Sequence, residues 1–282
     1  MELQTLQEDG IGQQDSFRVV DGIQARGFGD YWDQRAVGYS AGVRKELESR
    51  HYADWVDVLA RSSSDIRKRA ADADRVPRAL DLGCGPGFFS IILARLGCKV
   101  DAVDSSASML EEACANNRVA GTGEYVSLHE SDVEKLPFED GSFDLVVSRN
   151  VMWLLRDPKA AYVEWGRVLA PGGKLVVFDA NWYRYLVNPV IDAQRIIDEE
   201  SADFPRLDVN GNASSEQESR CEQIALSLPL TSALRPEWDI SVLHNLGYRD
   251  VCADEQVWKR VWSDEEAFFY GTSPLFLVEA TK

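Results

Sequence analysis

Between Tyr31 and Leu59 the apolar residues recur at helical spacing. Val43, Leu47, Trp55 and Leu59 share one i, i+4 row, which predicts one or two amphipathic helices ahead of the core. Met1 to Asp30 is polar, contains glycine and shows no sustained period, so it reads as an arm; the charged stretch Ser62 to Val76 reads as a connection. From Arg78 the texture changes. Short apolar runs bounded by glycine or acid, at Arg78 to Gly83, Lys99 to Val103, Glu124 to Leu128, Phe143 to Ser148 and Gly173 to Ala180, predict strands. Between them lie helical patterns at Phe88 to Leu96, Ala107 to Asn116 and Pro158 to Leu169. The first is closed by Gly97; the last begins on proline and stops at Pro171, Gly172 and Gly173. Strand, helix, strand in this rhythm implies parallel strands joined by right-handed crossovers, hence an open, doubly wound α/β sheet.

The rhythm breaks after Ala180. A helical stretch near Tyr185 to Glu200 leads into a polar loop, FPRLDVNGNASSEQESR, longer than a crossover needs, so 181–235 is expected to be an insertion that caps a site. The chain returns with a helix at Glu237 to Leu246, a run from Tyr248 to Arg260, a capping-box pattern at Ser263 and Glu266, and a final strand near Pro274 to Ala280. This tail could add two strands to the sheet, seven in all.

The chemistry concentrates in ALDLGCGPGFFS, Ala79 to Ser90. Gly83, Gly85 and Gly87 at a strand-to-helix turn permit positive φ and let a ligand approach the backbone beside free helix N–H groups. The G-x-G-x-G spacing differs from the nicotinamide and phosphate-loop fingerprints, and no lysine follows, so a pyrophosphate is not the expected guest. Asp104, at the end of the next strand, can accept hydrogen bonds from both hydroxyls of an unphosphorylated ribose. Asp132, just past the third strand, can accept from the exocyclic amine of adenine. Together they specify an adenosine without a diphosphate.

Charge then removes several partners. Lys and Arg number 30 against 47 Asp and Glu, a net charge of −17, so a phosphate backbone is a poor match and nucleic acid is not expected as a partner. The acceptor favoured by that balance is neutral or cationic. The start of the chain carries neither a positive n-region nor an apolar run, and no stretch approaches the roughly 20 apolar residues of a span, so no membrane association is expected. Five scattered cysteines without metal-ligand spacing read as reduced thiols in a cytoplasmic protein, and no metal is expected. Cys84, between glycines, reads as a buried filler more than a reactive thiol.

From Tyr31 to Ala180 the sequence resembles the class I S-adenosylmethionine-dependent methyltransferases. DLGCGPG is similar to the family's first motif, Asp104 to its ribose acid and Ser131-Asp132-Val133 to its adenine contact; LPFEDGSFDLVVSRNVMWLL and RVLAPGGKLVVFDA are similar to the later motifs. The resemblance implies a Rossmann-like, seven-stranded mixed sheet, mostly parallel with an antiparallel last strand. It divides the chain into an N-terminal arm and helical lid, 1–76, and a methyltransferase domain, 77–282. It also implies S-adenosyl-L-methionine as cofactor and a small-molecule acceptor. On the cofactor it implies Asp81, Gly83, Gly85, Gly87, Asp104, Ser105, Met109, Asp132, Val133, Arg149 and Asn150. YWDQRAVGY resembles a helix that closes over the cofactor, which adds Tyr31, Trp32, Arg35 and Tyr39, the last on the acceptor side. Met152 and Trp153 would line the way to the acceptor.

Position alone adds Asn181, Trp182, Tyr183 and Tyr185, at the carboxyl edge after the fifth strand. Asp81 either contacts the ligand or only bonds the turn. No general base is identifiable, since the sulfonium methyl is already activated; His51 and Tyr183 are the candidates, while His129 and His244 read as structural. A protein or RNA acceptor, a non-catalytic binder of the same cofactor and a nicotinamide-dependent oxidoreductase are the alternatives to small-molecule methyl transfer.

Overall fold

The structure, a computed structural model, describes residues 14–201 and 213–282. The strands β1 (Arg78–Leu82), β2 (Lys99–Asp104), β3 (Val126–Glu130), β4 (Phe143–Arg149), β5 (Leu169–Asp179), β6 (Arg249–Asp254) and β7 (Phe276–Thr281) form one sheet in the order β3-β2-β1-β4-β5-β7-β6. Strands β1 to β5 pair in parallel, and β7 runs antiparallel to both β5 and β6. The expected seven-stranded mixed sheet is therefore observed. Its order reverses between β1 and β4, which opens a crevice above their carboxyl ends.

The sheet is buried on both faces because helices cover both. On one face α1 (Gln14–Glu48), α2 (Tyr52–Ser62), α3 (Ser64–Asp72), α4 (Phe88–Arg95) and α5 (Ala107–Ala120) precede or flank the first strands. There Val43, Trp55, Leu59, Phe89 and Ile92 meet Ala79, Val100 and Phe178. On the other face α6 (Pro158–Val168) brings Tyr162 and Trp165 against Leu80, Leu82 and Val146. The predicted i, i+4 row thus faces the core, although the chain turns at Ser49 to His51 between α1 and α2.

Local signals set several boundaries. Ser106 caps α5 by accepting from Met109 N (3.1 Å), and Gly121 ends it in the left-handed conformation. Asp157 caps α6 ahead of Pro158. After β5 come α7 (Pro189–Glu200), α8 (Ser215–Leu226), α9 (Glu237–Asn245), α10 (Trp258–Val261) and α11 (Asp264–Phe269), the last opened by the predicted Ser263–Glu266 capping box.

Three readings of the sequence are corrected. Helix α1 begins at Gln14, so the supposed arm is helical from there, and residues 1–13 lie outside the described chain. The connection at Ser62 to Val76 contains α3, a charge-rich helix of nine residues that buries only Ile66 and Ala70. The polar loop holds a helix from Ser215 onward, α8, with a capping box between Ser214 and Gln217; residues 202–212 lie outside the described chain. Among the described residues no helix is long and apolar enough to cross a membrane.

Candidate functional site

A cavity of about 880 Å³ lies over the carboxyl ends of β1, β2 and β4. Its floor is the glycine turn. Gly83 has φ +62°, and a Cβ there would come within 2.3 Å of Val151 Cγ2, so the turn packs with no room for a side chain. At Gly85 a Cβ would meet nothing within 4 Å: that glycine faces open space. Gly87 does not line the cavity; a Cβ there would press on Asn117 and Ala113, so this glycine serves the contact of α4 with α5. Beneath the turn Asp81 is buried and accepts from Ser90 Oγ (2.6 Å), tying β1 to α4, and burial pushes its carboxyl up to about 7.

Asp104 accepts one backbone hydrogen bond on each oxygen, from Gly85 N and Ser106 N (both 2.9 Å). A carboxylate offers about four lone-pair positions, so each oxygen can still accept a hydroxyl. Ser105 and Met109 lie beside it on the cavity wall. Asp132 and Val133 also line the cavity, with Asp132 ion-paired to Arg156 (3.2 Å) and accepting from Glu134 N (2.8 Å). These positions come from successive strand ends, which is why residues separated by fifty positions share one wall.

Among the described residues, three buried polar atoms on this cavity lack a hydrogen-bond partner: Nε of Arg35, Nδ1 of His51 and Oδ1 of Asn150. Arg35, 4% exposed, donates from Nη1 to Gln217 Oε1 (3.3 Å) and has no ion pair among the described residues. Asn150 follows β4 with φ +59°, a left-handed geometry that asparagine tolerates better than most residues. An orphaned donor carrying positive charge and an orphaned acceptor suit the carboxylate and the ammonium of an amino-acid moiety. The donor set therefore fits an adenosyl amino acid: Asp104 for the ribose, Gly85 for close approach, Arg35 and Asn150 for the zwitterion.

Arg149 lines the cavity, but its guanidinium is already engaged. It makes a two-pronged pair with Glu46 of α1 (2.7 and 3.1 Å) and lies over the ring of Trp55 (4.4 Å) and of Phe88 (4.8 Å). This pair ties α1 to β4 at the edge of the cavity. Tyr31, Trp32 and Tyr39 lie on the cavity from the same helix, as the sequence predicted.

The acceptor-side candidates divide. Trp153, Trp182, Tyr183 and Tyr185 line the cavity. Met152 is fully buried among the residues under α6 and lies off it. Asn181 is also off it, donating to Arg235 O (2.9 Å). As bases, neither candidate is poised. Tyr183 shares a hydrogen bond with Cys221 Sγ (3.0 Å), and burial pushes its phenol far up. His51 lines the cavity, yet its Nε2 accepts from Arg50 Nε (2.9 Å), which occupies the ring lone pair. His129 pairs with Asp101 at 2.8 Å and lies away from the cavity.

Sequence reasoning did not single out Glu46, Cys221, Glu222, Trp262 or Tyr270, all of which line the cavity. The capping box at Ser263 was the one local signal near two of them; the rest arrive by long-range packing. Asp179, at the end of β5, was also missed. Its carboxylate accepts from Ala180 N, Trp182 Nε1, Trp153 N and Arg235 Nη1, and so holds the Trp182 indole and the Trp153 backbone.

Comparison with known proteins places these observations. Residues 80–177 match the family described as "Methyltransferase domain". The chain is 38% identical to a malonyl-acyl-carrier-protein O-methyltransferase of Enterobacter lignolyticus over 51% of this chain and 53% of that one. It is 31% identical to the methyltransferase GfsG of Streptomyces halstedii over 55% of this chain and 58% of that one. The chain thus spans about half the length of these curated relatives. A solved Haemonchus contortus phosphoethanolamine N-methyltransferase, in complex with phosphomonomethylethanolamine and S-adenosylhomocysteine, aligns with TM-score 0.50 and 17% identity. That alignment covers 85% of this chain and 60% of that one, a likeness of fold.

Proposed function

Taking as premise that residues 80–177 match the methyltransferase-domain family, we propose that this chain catalyses methyl transfer from S-adenosylmethionine to a small molecule. The acceptor atom is a nitrogen, oxygen, sulfur or carbon nucleophile, methylated by in-line displacement. When bound, S-adenosylmethionine supplies an electrophilic methyl on a sulfonium. The observation that carries the reading is the pairing, in one cavity, of Asp104 with the two orphaned atoms of Arg35 and Asn150. That set matches a ribose at one end and a zwitterion at the other.

The chain's own residues then bind, orient and exclude water. Asp104 holds the ribose hydroxyls and Gly85 admits the ligand to the backbone. Arg35 takes the carboxylate and Asn150 the ammonium. Tyr31, Trp32 and Tyr39 cover the site from α1 as part of a lid, and the described residues that follow β5, with α7 and α8, cap the acceptor end. Alignment of a nucleophile and dehydration of the site supply most of the acceleration, so no protein base is required. The acidic lining favours a neutral or cationic acceptor over a polyanion, and the reaction is assigned to the cytoplasm.

Calorimetry tests the cofactor: S-adenosylhomocysteine binds, and Asp104→Ala weakens it by about ten- to a hundredfold, the range for hydrogen bonds to a charged group. Absence of binding, or an unchanged affinity in the variant, would refute the assignment. Incubating the protein with labelled S-adenosylmethionine and extract metabolites, then identifying what acquires the methyl, reads out the acceptor.

A further inference from the structure

The part of the cavity built after β5 has a chemistry of its own. One wall packs Trp182 against Tyr270 (ring centroids 5.4 Å) and Trp262 (6.3 Å). Another sets Trp153 against Tyr183 (4.7 Å) and Tyr183 against Tyr185 (6.1 Å). All six rings line the same cavity. The Tyr183 and Tyr185 phenols stay protonated, because burial pushes both far up, so their rings are neutral. One of these rings already holds a cation, since the Arg195 guanidinium lies 4.5 Å over Tyr185.

Carboxylates accompany the rings. Glu222 lines the cavity and takes the Tyr185 hydroxyl on one of its oxygens (2.7 Å). Glu218, Glu265 and Glu266 lie on the same lining. Arg195 is an opposing charge on this wall, and its pair with Asp192 (2.8 Å) balances it; Arg35 would be neutralised by the carboxylate it takes in the proposed function. Aromatic faces beside carboxylates attract an ammonium ion and offer nothing to a carboxylate or phosphate.

We infer that the acceptor is a hydrophobic amine, methylated on nitrogen, and that the aromatic walls with Glu222 hold the alkylammonium product. This rests on the methyl-transfer reading above and narrows it. In the step, the nitrogen lone pair forms the new N–CH3 bond as the methyl–sulfur bond breaks. The bonding pair stays on sulfur, and the positive charge passes to nitrogen. A tertiary amine leaves as a quaternary ammonium ion; a primary or secondary amine loses its N–H proton to water afterwards. No base is needed during transfer, in keeping with the engaged states of His51 and Tyr183. The rings and Glu222 stabilise the charge where it arrives.

The test uses the full chain saturated with S-adenosylhomocysteine and three probes of one shape class, with affinities read by calorimetry. These are benzyltrimethylammonium, its neutral isostere neopentylbenzene, and 3-phenylpropionate. Benzyltrimethylammonium should bind about tenfold or more tightly than neopentylbenzene, the scale of a desolvated cation–π contact, and 3-phenylpropionate most weakly. Glu222→Gln and Trp182→Leu should each reduce the preference for the cation severalfold while S-adenosylhomocysteine affinity stays within about twofold. Trp182→Phe, which keeps an aromatic face, should restore part of it. Equal binding of cation and neutral isostere, or preference for the carboxylate, would overturn the inference while leaving cofactor binding intact. Failure of S-adenosylhomocysteine to bind would overturn the methyl-transfer reading and this one with it.

Discussion

At Asp81 a single side chain couples the ligand turn to stability. Its carboxyl sits at about 7 through burial, against an ordinary value near 3.8, so the folded chain keeps a proton that the unfolded chain has lost across that interval. The stability this proton contributes is complete below about 3.8 and disappears as pH climbs through about 7. Asp81→Asn keeps a polar partner for Ser90 and removes the titration. Its melting temperature relative to the parent should therefore rise between pH 5 and pH 7 and level off above. The change is of order 2–3 kcal/mol by the conversion of pKa shift to free energy. A difference that does not vary with pH in thermal scans would show that Asp81 is ionised in the folded chain. The sequence identified this residue but left open whether it touches a ligand or braces the turn; the bond to Ser90 braces the turn, and the residue also lines the cavity.

Elements explain more of what the sequence missed. Helices α3 and α8 bury few apolar side chains, Ile66 and Ala70 in one and Cys221, Ile224 and Ala225 in the other, so each apolar stripe is only two or three residues long within a charged or polar stretch. Helix α1 was anticipated from Tyr31, yet the contact that fixes its C-terminal end could not be. Glu46 and Arg149 stand 103 positions apart and meet only because β4 ends beneath the helix. Breaking a buried pair costs about 3–5 kcal/mol, and less where part of each side chain is exposed, as here at 21% for both. Glu46→Ala should leave Arg149 without its carboxylate, speed amide exchange through Ala36 to Glu48, and weaken S-adenosylhomocysteine binding by about tenfold through loss of the lid. Hydrogen exchange with calorimetry checks this; unchanged exchange in α1 would show that the helix is held by its contacts with α5 alone.

Across the whole molecule, the return from the cap is anchored by one cation. Arg235, 1% exposed at its side chain, bridges Asp179 at the end of β5 (2.7 Å) and Asp239 on α9 (2.8 Å), and Tyr162 donates to Asp239 (2.6 Å). Replacing the guanidinium leaves two carboxylates buried and unpaired. Arg235→Met should lower stability by about 3–5 kcal/mol, a fall on the order of 10 °C in melting temperature for a chain of this size. Because Asp179 also holds the Trp182 indole and the Trp153 amide, intrinsic tryptophan fluorescence should change with it. Arg235→Lys, which lacks the planar fork, should recover only part of the loss. Retention of the parental melting temperature in Arg235→Met would show that the network is dispensable.

Sequence by itself determined the sheet, its strand count and the residues at the carboxyl ends of the first four strands. The reason is that strand, glycine turn and capped helix are signalled over a few neighbouring positions, and Gly83, Gly85 and Asp104 lie within such units. Tertiary structure alone decided which of the candidates share a cavity. It sent Gly87, Met152 and Asn181 elsewhere, turned Arg149 toward Glu46, and delivered Glu222, Trp262 and Tyr270 to the wall. Those outcomes depend on segments far apart in the chain closing over the sheet, and the energy of such closure is set by packing and charge pairing across space, which residue spacing does not record.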